Sequence, residues 1–217
     1  MFAALDLARG NAPVTSWTRN CVTLLLRLAL AGVACVAFSQ STLAGVTSSI
    51  SQQAFIVDGT TASGVVRFMN GHAFEGDHGH AYASIHPDYQ LSLTTRASRG
   101  MCRPAQVSVN VAFELTLPVA ADAGSMSGRV RGAWNNFAAF ARTHENHHRF
   151  SYLGCAQAFV AQARRQSAPS CTQLEGDVDQ MLYAMKRACE VKQVPFDQSQ
   201  AHILRNLSLF ALARAGH

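Results

Sequence analysis

From Val107 to Leu117 apolar and polar side chains alternate without a break. Val107, Val109, Val111, Phe113, Leu115 and Leu117 fall on one parity. Ser108, Asn110, Glu114 and Thr116 fall on the other. Successive side chains of a strand point to opposite faces, so this segment predicts a strand with one buried and one wet face. Such a strand needs neighbours in a sheet and a layer to cover its apolar face. Pro118 is expected to end it. Ala54 to Val57, running into Asp58-Gly59, predicts a short strand and turn. Tyr82 to Ile85 and Tyr89 to Thr95 predict two more, separated by Pro87-Asp88. The Ser/Thr/Gln run before Ala54 reads as a loose lead-in.

The covering layer is predicted in the second half. Trp134, Phe137, Ala141, His144, His148, Tyr152, Cys155 and Phe159 step by three and four, the stripe of one long helix. A turn follows at Ser167 to Ser170. A second helix is expected near Thr172, where Thr172-x-x-Glu175 has the form of a capping box. It carries Leu174, Val178, Met181, Leu182, Met185 and Cys189, and Pro195 is expected to stop it. A third helix is expected from about Ser199 to Arg214. The predicted fold class is α+β: a small antiparallel sheet in the N-terminal half, packed against a long helical hairpin and a final C-terminal helix. Apolar residues are 48% of the chain and charged residues 14%, which suits a packed core.

The first residues predict export. Arg19 and Arg27 precede an apolar stretch from Leu28 to Phe38, and Thr42-Leu43-Ala44 offers small residues for cleavage. The expected organisation is a signal peptide over 1–44 and a single domain over 45–217, periplasmic or secreted. An uncleaved anchor is the alternative, although Arg27 shortens the span; a lipid-modified Cys35 is another. No stable membrane span is expected in the mature chain. The formal charge of +5 comes from scattered basic residues without aromatic interleaving, so nucleic acid is not expected as a partner. Beyond Ala44 four cysteines remain: Cys102, Cys155, Cys171 and Cys189. In an oxidising compartment they suggest two disulfides with three possible pairings; buried free thiols are the alternative.

The chemistry concentrates in His144-Glu145-Asn146-His147-His148. His144 and His148 are four apart, so on a helix their rings leave one face together. Two imidazoles at that spacing bind one Zn²⁺, which lowers the pKa of an attacking water, and the neighbouring carboxylate of Glu145 takes its proton. These are the parts of a zinc peptidase, with Glu145 as general base and a peptide or protein as substrate. Both histidines lie on the apolar stripe, where an imidazole needs a partner. The bland alternative is two core histidines bonded to backbone, with Glu145 in water. His147 lies off the stripe and reads as a surface residue. His72, His78, His80 and His86 form a second cluster without cysteines or a close carboxylate set. It supports a competing reading, an exported metal-binding protein without catalysis; a structural envelope protein with a degenerate motif is another. Glu145 separates these readings, because storage of metal has no use for a base at that position. Ser151 and Gly154 stand where the longer zinc-peptidase motif has glycine and histidine. No Gly-x-Ser-x-Gly elbow is present for a serine hydrolase. Glu175 or Glu190 on the next helix are candidates for a third ligand.

Several segments together resemble an uncharacterised bacterial family of predicted secreted zinc-dependent proteases. They are Phe55-Ile56-Val57-Asp58-Gly59-Thr60, Cys102 ahead of the alternating strand, Leu117-Pro118, Trp134-Asn135-Asn136-Phe137, the His144 to His148 motif, Ser170-Cys171-Thr172-Gln173-Leu174 and Phe196 to His202. The resemblance covers roughly Phe55 to His202. The family's last motif is similar to aromatic-Asp-x-x-Thr-x-His-Gly, with Gln200 here in place of the threonine and Ile203 in place of the glycine. The resemblance implies a zinc peptidase and pairs Cys102 with Cys171. Cys155 then pairs with Cys189 across the hairpin, provided the helices lie close. A catalytic zinc takes three protein ligands, so a third is needed beside His144 and His148. His202 occupies the motif's histidine position and is the expected third ligand, with Glu175, Glu190 and the second histidine cluster as alternatives. Asp197 is expected to orient a ligand histidine from behind.

Overall fold

The computed structural model describes residues 45–76 and 79–217. The expected signal segment and His78 lie outside the described residues. The order of elements is β1 (Val46–Val57), α1 (Ala62–Gly71), β2 (Phe74–Gly76), β3 (Gly79–Ala81), β4 (Ser84–Ser98), β5 (Met101–Ala120), a short 3₁₀ turn (Ala123–Ser125), α2 (Gly128–Ala163), α3 (Cys171–Asn206) and α4 (Ser208–Arg214). The fold is α+β, with a three-stranded sheet laid against the α2–α3 pair and a short terminal helix.

The alternating segment is the centre of this sheet, in the order β1-β5-β4. Val107, Val109, Val111, Phe113, Leu115 and Leu117 are all buried, as the parity requires. They pack against Tyr152, Ala156, Phe159 and Val160 of α2 and against Leu174, Val178 and Leu182 of α3. β4 and β5 form an antiparallel hairpin joined by Arg99-Gly100. Both turn residues have positive φ, the mark of a type I′ turn whose twist matches the strands. β4 runs straight through Pro87, which pairs with Phe113. A proline is tolerated there because β4 is an edge strand, where a missing donor breaks no ladder bond. β5 also continues past Pro118 to Ala120, because β4's pairing ends at Thr116 and Pro118 lies against β1 alone.

The lead-in is ordered. The whole of β1 pairs with β5, and the pairing is parallel, so the sheet is mixed instead of purely antiparallel. Its Ser/Thr/Gln content hides it from periodicity because most of β1 is exposed on both faces at the sheet edge.

Two corrections concern α3. Its N-cap is Ser170, whose hydroxyl accepts from the amide of Gln173 at 3.2 Å, so the box begins two residues before Thr172. Glu175 instead accepts from the Thr95 hydroxyl at 3.1 Å. Pro195 does not stop the helix: α3 is continuous from Cys171 to Asn206. The proline removes the N–H that would bond the carbonyl of Val191, but the packing of α3 on α2 carries the helix through. The chain breaks at Leu207, whose ψ of 146° is extended, and α4 is correspondingly short.

Disulfides join Cys102 to Cys171 and Cys155 to Cys189, the pairs expected above. The first ties β5 to the start of α3, and the second clamps α2 to α3. A second apolar cluster gathers Val65 and Met69 of α1, Val130, Trp134 and Phe137 of α2, and Leu209 and Leu212 of α4. The first cluster takes α2 from Tyr152 onward, and the second takes it up to Phe137. The His144 to His148 motif occupies the stretch of α2 between them.

Candidate metal centre

Helical spacing on two facing helices builds the site. On α2, His144 and His148 are one turn apart; on α3, Gln193 and Asp197 are also one turn apart. Because α2 and α3 pack together, both pairs enter the same gap. The Nε2 atoms of His144 and His148 are 2.9 Å apart. Oδ1 of Asp197 lies 3.1 Å from the first and 2.8 Å from the second. Three potential ligand atoms thus close a triangle, and these three residues form the one group of metal-ligating type among the described residues.

Gln193 sets the polarity of this triangle. Its side-chain nitrogen donates to the backbone carbonyl of Cys189 at 2.7 Å and to the Ser151 hydroxyl at 3.1 Å. The carbonyl can only accept, which fixes which end of the amide is nitrogen. Its oxygen therefore faces Nδ1 of His148, 3.1 Å away, and accepts a hydrogen bond from it. With the proton held on Nδ1, Nε2 of His148 keeps its lone pair for the triangle. Gln193 is only 1% exposed, so no water competes for this bond.

In the metal-free protein a second proton competes for Nε2 of His148. Burial works against the charged form of His148. The hydrogen bonds to Asp197 and Gln193, with the charges of Asp197 and Glu145, outweigh it and raise its pKa. Burial also works against the Asp197 carboxylate, but hydrogen bonds from His144 and His148 hold its pKa well below the usual range. Nδ1 of His144 is buried without a hydrogen-bond partner. Glu145 is buried at 5% exposure and lines the same cavity as the triangle.

The residues fit a metal ion. A tetrahedral zinc with bonds of about 2.0–2.2 Å keeps its ligand atoms about 3.3–3.5 Å apart, so the observed triangle needs to widen only by roughly half an ångström. Two imidazoles and one carboxylate are a recognised zinc set. His148 also has the outer hydrogen bond that metal-bound histidines usually make, here to Gln193.

His202 is not in this cluster. It is exposed on α3, with Nε2 3.0 Å from the side-chain nitrogen of Asn206. The reason is the continuous helix: at about 100° per residue, His202 stands about 140° around the axis from Asp197. The third member of the cluster is Asp197, which was expected behind a histidine and instead places a carboxylate oxygen beside both Nε2 atoms. Glu190 accepts from the hydroxyl of Tyr152 at 2.9 Å. His147 is exposed and stacks on Phe196 at 3.7 Å, and Phe196 also stacks on His144. His72 is exposed, with Nδ1 2.9 Å from the Phe68 carbonyl and its ring stacked on Phe68. Gln193 had no signature of its own. The spacing of Gln193 and Asp197 would have revealed both residues had the helix been carried through Pro195.

Replacing Gln193 with leucine should weaken zinc binding about 10- to 100-fold, the usual cost of losing an outer partner. Gln193→Glu, which keeps an acceptor, should recover most of it. Nitrogen-15 spectra of the His148 ring should show Nδ1 protonated in the wild type and a tautomer mixture in Gln193→Leu. Unchanged affinity and tautomer would mean that Gln193 does not orient the ring.

Fold and site together define a class: an α+β protein with an HExxH-type His-Glu…His…Asp cluster able to chelate a metal ion. The chain belongs to a family of bacterial proteins of unknown function, DUF922, whose model matches residues 52–203. That range holds every residue of the cluster. No curated protein and no solved structure matches the chain significantly. Among the described residues no helix is long and apolar enough to cross a membrane.

Proposed function

We propose that this protein is an exported zinc-dependent peptidase. The observation that carries the reading is the convergence of His144, His148 and Asp197 in a cavity that Glu145 also lines. His144, His148 and Asp197 would hold the ion. Zinc in such a site supplies a Lewis-acid centre that polarises a carbonyl and acidifies the attacking water. Glu145 accepts that water's proton on its carboxylate and passes it to the leaving amine. Gln193 keeps His148 in the tautomer that binds, and the Cys155–Cys189 bridge holds Gln193 in place through the Cys189 carbonyl. Two disulfides also accord with an oxidising compartment.

The test is hydrolysis of a mixed peptide library by the mature chain. Cleavage is expected with the protein as purified, is lost on chelation, and returns on adding one equivalent of zinc. A zinc-loaded, folded protein that cleaves nothing in the library would overturn the peptidase reading.

A further inference from the structure

The triangle lines a cavity of about 340 Å³, and the rest of that cavity's lining has a different character. Phe137 and Phe140 of α2, Tyr82 before β4, and Leu204 of α3 provide its large apolar walls. The Tyr82 hydroxyl is engaged by the side chain of Asn70, so its ring is what remains to face the cavity. Tyr82, Phe137 and Phe210 pack ring against ring, which makes this wall stiff. The open space exists because small residues stand between the large ones: Ala81, Ala83, Ala141 and Ala201. Helical spacing links this space to the chemistry. Ala141 is one turn before Glu145 on α2, and Ala201 is one turn after Asp197 on α3. Among the described residues no lysine or arginine lines the cavity, and the acidic ones that do, Glu145 and Asp197, both belong to the metal centre. The volume is at the small end for ligand sites, enough for one large side chain and not for an extended ligand.

Resting on the peptidase reading above, we infer that this pocket is the specificity site of the enzyme and takes one bulky apolar side chain, aromatic or long aliphatic, of the substrate peptide, next to the bond at the metal centre. A charged side chain there would lose its hydration to a mostly apolar wall, with only the neutral Ser84 and Gln200 among the described polar residues outside the metal centre. An apolar one would displace water from aromatic walls and gain in proportion to the area it buries.

Hydroxamates test the pocket apart from turnover, because the same metal-binding head can carry different tails. The zinc-loaded mature chain is titrated with acetohydroxamate, 3-phenylpropanohydroxamate, 4-methylpentanohydroxamate and succinic monohydroxamate. The phenyl and branched-alkyl tails should bind about ten- to a hundredfold more tightly than the methyl. The carboxylate tail should bind no better than the methyl. Ala141→Phe should reduce the apolar gain to less than threefold while acetohydroxamate still binds. Ala201→Leu, on the other helix, is the second variant should Ala141→Phe not fold. If all four bind alike, or the carboxylate tail binds best, the pocket inference falls and the metal reading stands. If apolar tails bind tightly but the protein cleaves no peptide, the pocket stands as an apolar ligand site and the peptidase reading falls. If no hydroxamate binds, the metal centre fails and the inference fails with it.

Discussion

Glu145→Gln should abolish peptide hydrolysis and leave zinc in place. The amide nearly matches the carboxylate in shape, so α2 and the ligand triangle are preserved. What it lacks is the capacity to accept a proton, and a positioned general base is worth about 10²–10⁴ in rate. The zinc content of the purified variant, set beside its rate on a peptide the wild type cleaves, checks both halves. Full metal with a rate near the wild type's would remove Glu145 from the mechanism. Loss of metal together with loss of rate would make Glu145 part of the metal's support. The reading of a metal-storing protein predicts no rate to lose, so a measurable wild-type rate decides against it.

Asp197→Ala and His202→Ala should behave oppositely. Asp197 presents an oxygen to both imidazoles, whereas His202 is exposed and faces another side of α3. Tight zinc sites are worth about 10–16 kcal/mol over their ligands, so losing one of three protein ligands should weaken binding on the order of a thousandfold. His202→Ala should leave affinity within about twofold. Competition against a chromophoric chelator would measure both. A loss on His202→Ala with none on Asp197→Ala would restore His202 as the third ligand. Acid should weaken binding in the wild type as well. In the metal-free protein the His148 pKa is raised, so below it a proton occupies the nitrogen that zinc needs. Asp197→Ala removes one cause of that rise, so the acid sensitivity of whatever binding remains should shift to lower pH.

What was legible along the chain was whatever is local. The parity of Val107 to Leu117 determines a strand and its buried face, because side-chain direction in a strand follows from backbone geometry alone. The spacing of His144 and His148 determines that both rings share a helix face, and Glu145 comes with them as a neighbour in sequence. The family resemblance added the disulfide partners. β1 escaped because a polar strand at a sheet edge buries too little to show a period. α3 was cut short because proline is a local signal against helix, while the force that carries the helix onward is its packing on α2.

The third member of the cluster belonged to the tertiary structure. Asp197 and His202 are both plausible donors in a short stretch of sequence. Which one enters the gap depends on the phase of α3 around its axis, and that phase is set by how Leu174, Val178 and Leu182 pack earlier along the helix and by the Cys155–Cys189 bridge. Gln193 is the same case. An amide in a sequence carries no sign of function until a backbone carbonyl fixes its nitrogen end and an imidazole meets its oxygen. A residue's type can be read from the chain, but the atoms it faces are decided by the packing of residues distant in sequence.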